Sequence, residues 1–247
     1  MSMTTNSDTK SNQGMTDIGS ASGMENKESS VSLWRETIKV SIAKSRKVRG
    51  GNFVQISTVD PETLEPRIRT VVFRGFLSTP TENDKGNDPF IMKMITDLRS
   101  SKVHEITKHS TSKAELLWWF SKSSEQYRVL GTLKFVGSGS SGLFDLDSDP
   151  YYQQARKQQW GNLSDSAREQ FYWRDPKTSY ETQSKVPEGG RDEEGKVLPP
   201  PDNFLLMLLF PERVDFLRLG DNYRQVDELT NNNENEEGKW VMERVNP

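Results

Sequence analysis

With 247 residues, a mass of 28.2 kDa and a formal net charge of -3, the chain has room for one substantial domain with tails, and its charge gives no general attraction to polyanions. It contains no cysteine, which excludes disulfides, thiolate metal sites and sulfur nucleophiles. The longest apolar run, residues 204–210, is far short of the roughly 20 residues a membrane-spanning helix needs, and residues 1–30 lack a leader pattern, so the expectation is a cytoplasmic protein without nucleic-acid or membrane partners.

Residues 1–30 hold only four Met, one Ile and one Ala as apolar residues, and no aromatic residue precedes Trp34. This composition predicts a disordered tail at 1–30 and a folded domain over 31–247. Trp34, Ile38 and Ile42 are spaced by four and predict a short amphipathic helix over 34–43. Strands are expected at 53–59, 67–76 and 90–95, with a polar turn at 79–88 between the last two. Asp97 or Ser100 can cap a helix carrying Val103 and Ile106, followed by strands at 115–120 and 126–136. In the second of these, Tyr127, Val129, Leu133 and Phe135 alternate with Arg128, Thr132 and Lys134, the period of a half-buried strand. Asp149-Pro150 reads as an N-cap and N1 pair opening a helix to Gln159, and a further helix is expected over 164–173. A long polar loop at 175–202 precedes strands at 204–210, 214–219 and 239–245. Short, closely spaced strands with few helices indicate a mainly β barrel rather than alternating βαβ units.

Three motifs invite functional readings that their context defeats. Gly137-Ser138-Gly139-Ser140-Ser141-Gly142 matches the dinucleotide-binding pattern, but no helix begins at its last glycine, and the nearest start is Pro150. Asp145, Asp147 and Asp149 begin like a calcium loop, yet Pro150 occupies the glycine position and Arg156 the final carboxylate position. His104 and His109 lie five apart in one predicted helix, on different faces, and no metal is expected.

A stronger signal lies in the strand segment Arg69-Thr70-Val71-Val72-Phe73-Arg74 and the strand-to-helix junction Ile95-Thr96 with Ser100-Ser101-Lys102. A helix N-terminus with unpaired N–H groups, beside Lys102 and a strand arginine, suits a phosphate dianion.

The order of these segments, with Gln126 before a Gly131-containing strand, resembles the pyridoxamine 5'-phosphate oxidases, whose counterpart segments R-I-V-L-L-K, Y-T with S-R-K, and a Gln before a strand hold flavin mononucleotide (FMN). Leu163-Ser164-Asp165, Gln170-Phe171-Tyr172-Trp173 and Val245-Asn246-Pro247 resemble the oxidase-like branch of FMN-binding proteins. The resemblance implies an FMN-binding split β-barrel homodimer with cofactor clefts between the subunits. Arg69 and Lys102 would contact phosphate, and Ser101 adjoins them. Arg74, Thr96 and Gln126 would hold other parts of the flavin, with Thr70, Val71, Val72, Phe73 and Ile95 contributing backbone and packing. Arg69 and Arg74 are five apart in an alternating strand, so they should face opposite sides.

The chain also departs from the oxidases. Ser101 stands where they carry a second phosphate-binding Arg, and their Trp and R-L-H-x-R pattern corresponds to Leu217 and Tyr223-Arg224-Gln225, without the His. Arg168 and Arg224 are the candidate contacts to a substrate anion. The activities implied are oxidation of pyridoxamine or pyridoxine 5'-phosphate by dioxygen, FMN-dependent reduction of another substrate, or flavin binding with little turnover. No catalytic side chain is assigned, because flavin carries the chemistry.

Overall fold

The computed structural model describes residues 33–77, 90–183, 185–230 and 238–247; the expected disordered tail at 1–30 and the polar turn at 79–88 lie outside the described residues. Among the described residues the architecture is mainly antiparallel β with four α-helices and two short 3-10 turns. In chain order it runs α1 (Leu33–Ser45), β1 (Phe53–Val59), β2 (Pro66–Val72), β3 (Phe76–Leu77), β4 (Ile91–Asp97), α2 (Ser101–Lys108), β5 (Lys113–Phe120), β6 (Glu125–Val136), α3 (Pro150–Gly161), α4 (Asp165–Glu169), β7 (Phe204–Arg218), β8 (Tyr223–Thr230) and β9 (Lys239–Val245).

The strands join in the order β2-β1-β5-β6-β7-β4-β3, with β8 on β7 and β9 on β8. β2 and β4 lie side by side without a hydrogen-bonded ladder, so the curled sheet is split along that seam. Its inner face buries Val54, Ile56, Leu116, Trp118, Tyr127 and Val129 with the inward residues of β4 and β7. Trp34 and Ile38, four apart on α1, are fully buried in the same core, and each contributes roughly 1.5–3 kcal/mol by burial. Val103 and Ile106 dock α2 into the same core, against β1. On the opposite face, α3 packs Ala155 over Val136, Leu206 and Leu208.

Three elements differ from the sequence reading. The expected strand over 67–76 breaks after Val72 and resumes as β3, because Gly75 adopts φ 109° and takes the chain out of the β2 line. The two strands expected at 204–210 and 214–219 are one strand, β7. Pro211 interrupts the apolar pattern but falls at the register shift opposite Leu130 and Gly131, where an absent N–H is tolerated. The length of β7 lets one of its edges serve β4 along Phe204–Leu209 and β8 along Arg213–Arg218, while β6 runs along the other. β8 was hidden because its buried positions include Gln225 and Asp227, whose side chains bond each other at 2.7 Å.

Gly131 holds the bulge: a Cβ there would lie 2.1 Å from the Phe210 carbonyl oxygen. Gly131→Ala is expected to lower stability by about 2–4 kcal/mol, read as a drop in the thermal unfolding midpoint. An unchanged midpoint would mean that the two strands separate there without strain.

Candidate functional site

The cleft that matters lies along the β2–β4 seam. It has a volume of about 590 Å³ and gathers Thr70, Val71 and Val72 from β2, Arg74 beyond it, Ile95 and Thr96 from β4, and Lys102 from α2. Seven of the residues singled out in the sequence thus meet in one place. β2 pairs with β1 on one edge only, which leaves its other edge, along Thr70 to Val72, open to the cleft without a strand partner among the described residues.

Two cations of the cleft, Lys102 and Arg74, are partly withdrawn from water and have no carboxylate partner among the described residues. Lys102 Nζ donates to Thr96 Oγ1 at 2.9 Å and Ser100 Oγ at 2.6 Å, and among the described residues no carboxylate lies within ion-pair distance of it. Burial first, and the Arg69 charge second, push its ammonium down to about 8. Arg74 Nε is buried without a hydrogen-bond partner among the described residues, and burial pulls the guanidinium below its ordinary value. Ser100 is the N-cap of α2 but makes no side-chain cap bond, and the first turn holds no acidic residue, so nothing on that turn offsets the positive end of the helix. A half-buried guanidinium with a buried, unpartnered Nε, an ammonium without a carboxylate and an uncompensated helix start fit a phosphate-bearing ligand.

Arg69 and Ser101 line a neighbouring cavity of about 510 Å³ with Arg67, Glu105 and Lys177. Arg69 and Arg74 do line different cavities, but Arg74 lies beyond the end of β2, so the break after Val72 rather than strand alternation sets its direction. Arg69 donates to Glu105 Oε2 at 2.5 Å and also bonds Thr58. Burial alone would raise the Glu105 carboxyl, but hydrogen bonds from Thr58 and Arg69 outweigh it and hold it below the usual carboxylate range. Arg69 therefore reaches the α2 start already paired, and acts on Lys102 through its charge.

Other expected residues lie elsewhere. Phe73 is buried against Trp118 and Phe76, with ring centroids 4.6 and 4.9 Å away, and is a core residue. Gln126 lies on the outer face of β6, in register with Trp119 and Leu217, away from this cleft. Arg168 is 2% exposed and bonds Gly189 O at 2.8 Å, Leu163 O at 2.5 Å and the Asp165 carboxylate, so its guanidinium ties α4 to the 188–190 turn. Arg224 donates to both oxygens of Asp215, at 3.0 and 2.8 Å, on the same outer face as Arg128. The glycine-rich segment after β6 is filled from within: Asp147 accepts from the N–H groups of Gly137, Leu143 and Phe144 at 2.6, 3.1 and 3.1 Å. Asp149 caps α3 through the Tyr151 N–H at 2.8 Å.

The sequence reading missed part of the lining. Gln170, Phe171, Trp173, Arg174 and Pro176, from the irregular chain after α4, close the cleft beside Asp97 and Arg99. No periodicity marks these positions. The one signal was the Gln170-Phe171-Tyr172-Trp173 run.

Comparison with known proteins bears on this geometry. Residues 31–137 match the family model described as pyridoxamine 5'-phosphate oxidase, FMN-binding domain, a span that contains every β2, β4 and α2 residue of the cleft. An Arabidopsis thaliana protein named pyridoxine/pyridoxamine 5'-phosphate oxidase 2 is 28% identical over 220 residues, covering 88% of this chain and 98% of its own. The crystal structure of a pyridoxamine 5'-phosphate oxidase-related, FMN-binding protein from Nostoc punctiforme is 31% identical and superposes with a TM-score of 0.68, covering 89% of this chain and 100% of that one. PhzG from Burkholderia lata shares the fold alone, at 16% identity and a TM-score of 0.58 over 89% of this chain and 94% of its own.

Lys102 sets a pH window. With its folded-state value lowered from 10.5 to about 8, the unfolded chain holds more protons across that interval, so this group makes the unliganded fold more stable as pH rises through it. An anion needs the ammonium form. FMN affinity, followed by quenching of flavin fluorescence, is therefore expected to fall as pH climbs past about 8. Lys102→Met should weaken binding about ten- to hundredfold and remove this step. Affinity that stays level across the window would take Lys102 out of the site.

Proposed function

Because the chain belongs to the pyridoxamine 5'-phosphate oxidase-like family of FMN-binding proteins, we propose that it is an FMN-dependent oxidoreductase acting on a small phosphorylated substrate, pyridoxamine or pyridoxine 5'-phosphate, with dioxygen as electron acceptor. The observation that carries this reading is the seam cleft, where Lys102 and Arg74 are withdrawn from water without a carboxylate partner among the described residues. Such cations are unfavourable unless an anion joins them. Bound FMN supplies a ring that takes up a hydride equivalent and passes electrons to dioxygen. The protein's part is positional. Lys102, held by Thr96 and Ser100, and the α2 start orient the cofactor phosphate, and Arg74 and the open β2 edge hold its remaining polar groups. Arg69 adds positive charge behind Lys102 while Glu105 keeps it in place.

The active unit in this reading is a homodimer. Gln126 lies outside the cleft of its own chain, on a face where Trp119 is 43% and Leu130 36% exposed, with Leu217 in register. A second copy seated on this face would bring Gln126 and Arg224 to the cleft of its partner and cover that apolar surface.

One observation favours a second reading, reduction of a different substrate or flavin binding with little turnover. Arg168 and Arg224, the candidates for a substrate anion, are both committed to acceptors within the chain.

An absorbance spectrum with added FMN, followed by anaerobic pyridoxamine 5'-phosphate, separates these readings. The oxidase reading expects the flavin bands to bleach and to return on admitting air, and expects Gln126→Ala to slow bleaching at saturating FMN. Bound flavin that stays oxidised would sink the substrate assignment in favour of the second reading. No bound flavin would sink the cofactor role itself.

A further inference from the structure

The two walls of the cleft have different origins. One is the pair of strand edges from β2 and β4; the other is the chain from Gln170 to Pro176, which consists of a single 3-10 turn, Gln170–Tyr172, followed by irregular backbone. Among the described residues no strand ladder holds this second wall. Arg99 does so instead, from the turn between β4 and α2.

The Arg99 guanidinium grips Asp97 with Nε at 2.9 Å from Oδ1 and Nη2 at 2.6 Å from Oδ2. Its Nη1 crosses to the second wall and donates to Trp173 O and Asp175 Oδ1, both at 2.8 Å, while Nη2 reaches Phe171 O at 3.4 Å. Asn203 closes the arrangement, Nδ2 donating to Asp97 Oδ2 and Phe171 O, both at 2.8 Å. The Asp97 hydrogen bonds hold the guanidinium pKa above its ordinary value. All three nitrogens of Arg99 are therefore engaged by the protein, which leaves it poorly placed to replace the phosphate-binding arginine absent at Ser101. A lysine could not make this set of contacts, because it lacks the planar fork.

We propose that Arg99, with Asp97 and Asp175, is a clasp that positions the Trp173 wall against the β2–β4 seam and so sets how tightly the cleft encloses its ligand. Arg99 is a positioning residue in this scheme, acting on the cofactor through the 171–175 backbone. The inference rests on the FMN reading for its ligand, but the clasp itself is tested without one. Asp175 is 66% exposed, so its ion pair is the weaker arm, whereas the bonds to Asp97 and the two carbonyls are the stronger.

The test uses the full chain as wild type, Arg99→Lys, Arg99→Gln, Asp175→Ala and Asp175→Glu, with two readouts. Amide hydrogen exchange over residues 171–176 without FMN is expected to speed up in the Arg99 variants and in Asp175→Ala, and to stay near wild type in Asp175→Glu. FMN release, followed as recovery of flavin fluorescence, is expected to accelerate about two- to fivefold in Asp175→Ala and about tenfold or more in Arg99→Lys and Arg99→Gln, with altered visible circular dichroism of the bound flavin. A direct phosphate contact by Arg99 predicts the reverse pattern: Arg99→Lys near wild type and slower release in Asp175→Ala, where the guanidinium is freed. That pattern, or exchange unchanged in every variant, overturns the clasp. A wild-type chain that binds no FMN defeats the cofactor reading instead, and the exchange data still decide the clasp.

Discussion

Just beyond the end of β2, the link to β3 bonds β4 through Arg74 N–H to Lys93 O and Lys93 N–H to Gly75 O, both 2.8 Å, at one end of the seam between β2 and β4. Below them the two strands run together unpaired, and an unpaired strand edge must be met by water or by a ligand. The turn that produces this gap depends on Gly75 at φ 109° and on Phe73, which anchors the chain in the core against Trp118 while the backbone leaves the β2 line. The cleft, its open backbone and the entry of α2 beside it all follow from that single break in the ladder.

Charge pairing sorts the arginines and lysines into two groups. Arg69, Arg99, Arg168 and Arg224 each have a carboxylate, and each holds one element to another: β2 to α2, the β4 end to the 171–175 segment, α4 to the 188–190 turn, β7 to β8. Among the described residues Lys102 bonds only hydroxyls, and Arg74 Nε is buried with no hydrogen-bond partner. A desolvated cation left without an anion is destabilising by more than a surface ion pair returns, so fold stability alone does not explain these two. In the proposed reading bound FMN supplies the missing partners, its phosphate at Lys102 and its other polar groups at Arg74, and the paired group keeps the cleft walls in place around it.

The same logic disposes of the motifs that resembled other sites. The glycines after β6 form a nest of N–H groups, but its anion is the chain's own Asp147. His104 sits at the surface 4.0 Å from Glu62, while His109 bonds Thr111, so the two do not converge.

Much of the secondary structure was legible because alternation and capping are local: the β6 pattern, the Asp149-Pro150 helix start and the Trp34, Ile38 spacing depend on near neighbours. The continuity of β7 was not, since Pro211 reads as a break until Gly131 is placed opposite it, and β8 was not, since its buried Gln225 and Asp227 are polar. The cleft was legible as two segments, residues 69–74 and 95–102, but not as a cavity. Its second wall comes from residues 170–176, which lie next to Arg99 only once β7 has brought Asn203 beside Asp97. Sequence by itself determined the alternation and caps of several strands and helices and the residue types that suit a phosphate. Only the tertiary structure decided how the cleft walls are tied and which cations are left open, because the pairs that span those walls, Arg69 with Glu105 and Arg99 with Asp175, join residues 36 and 76 positions apart, and no local pattern encodes these.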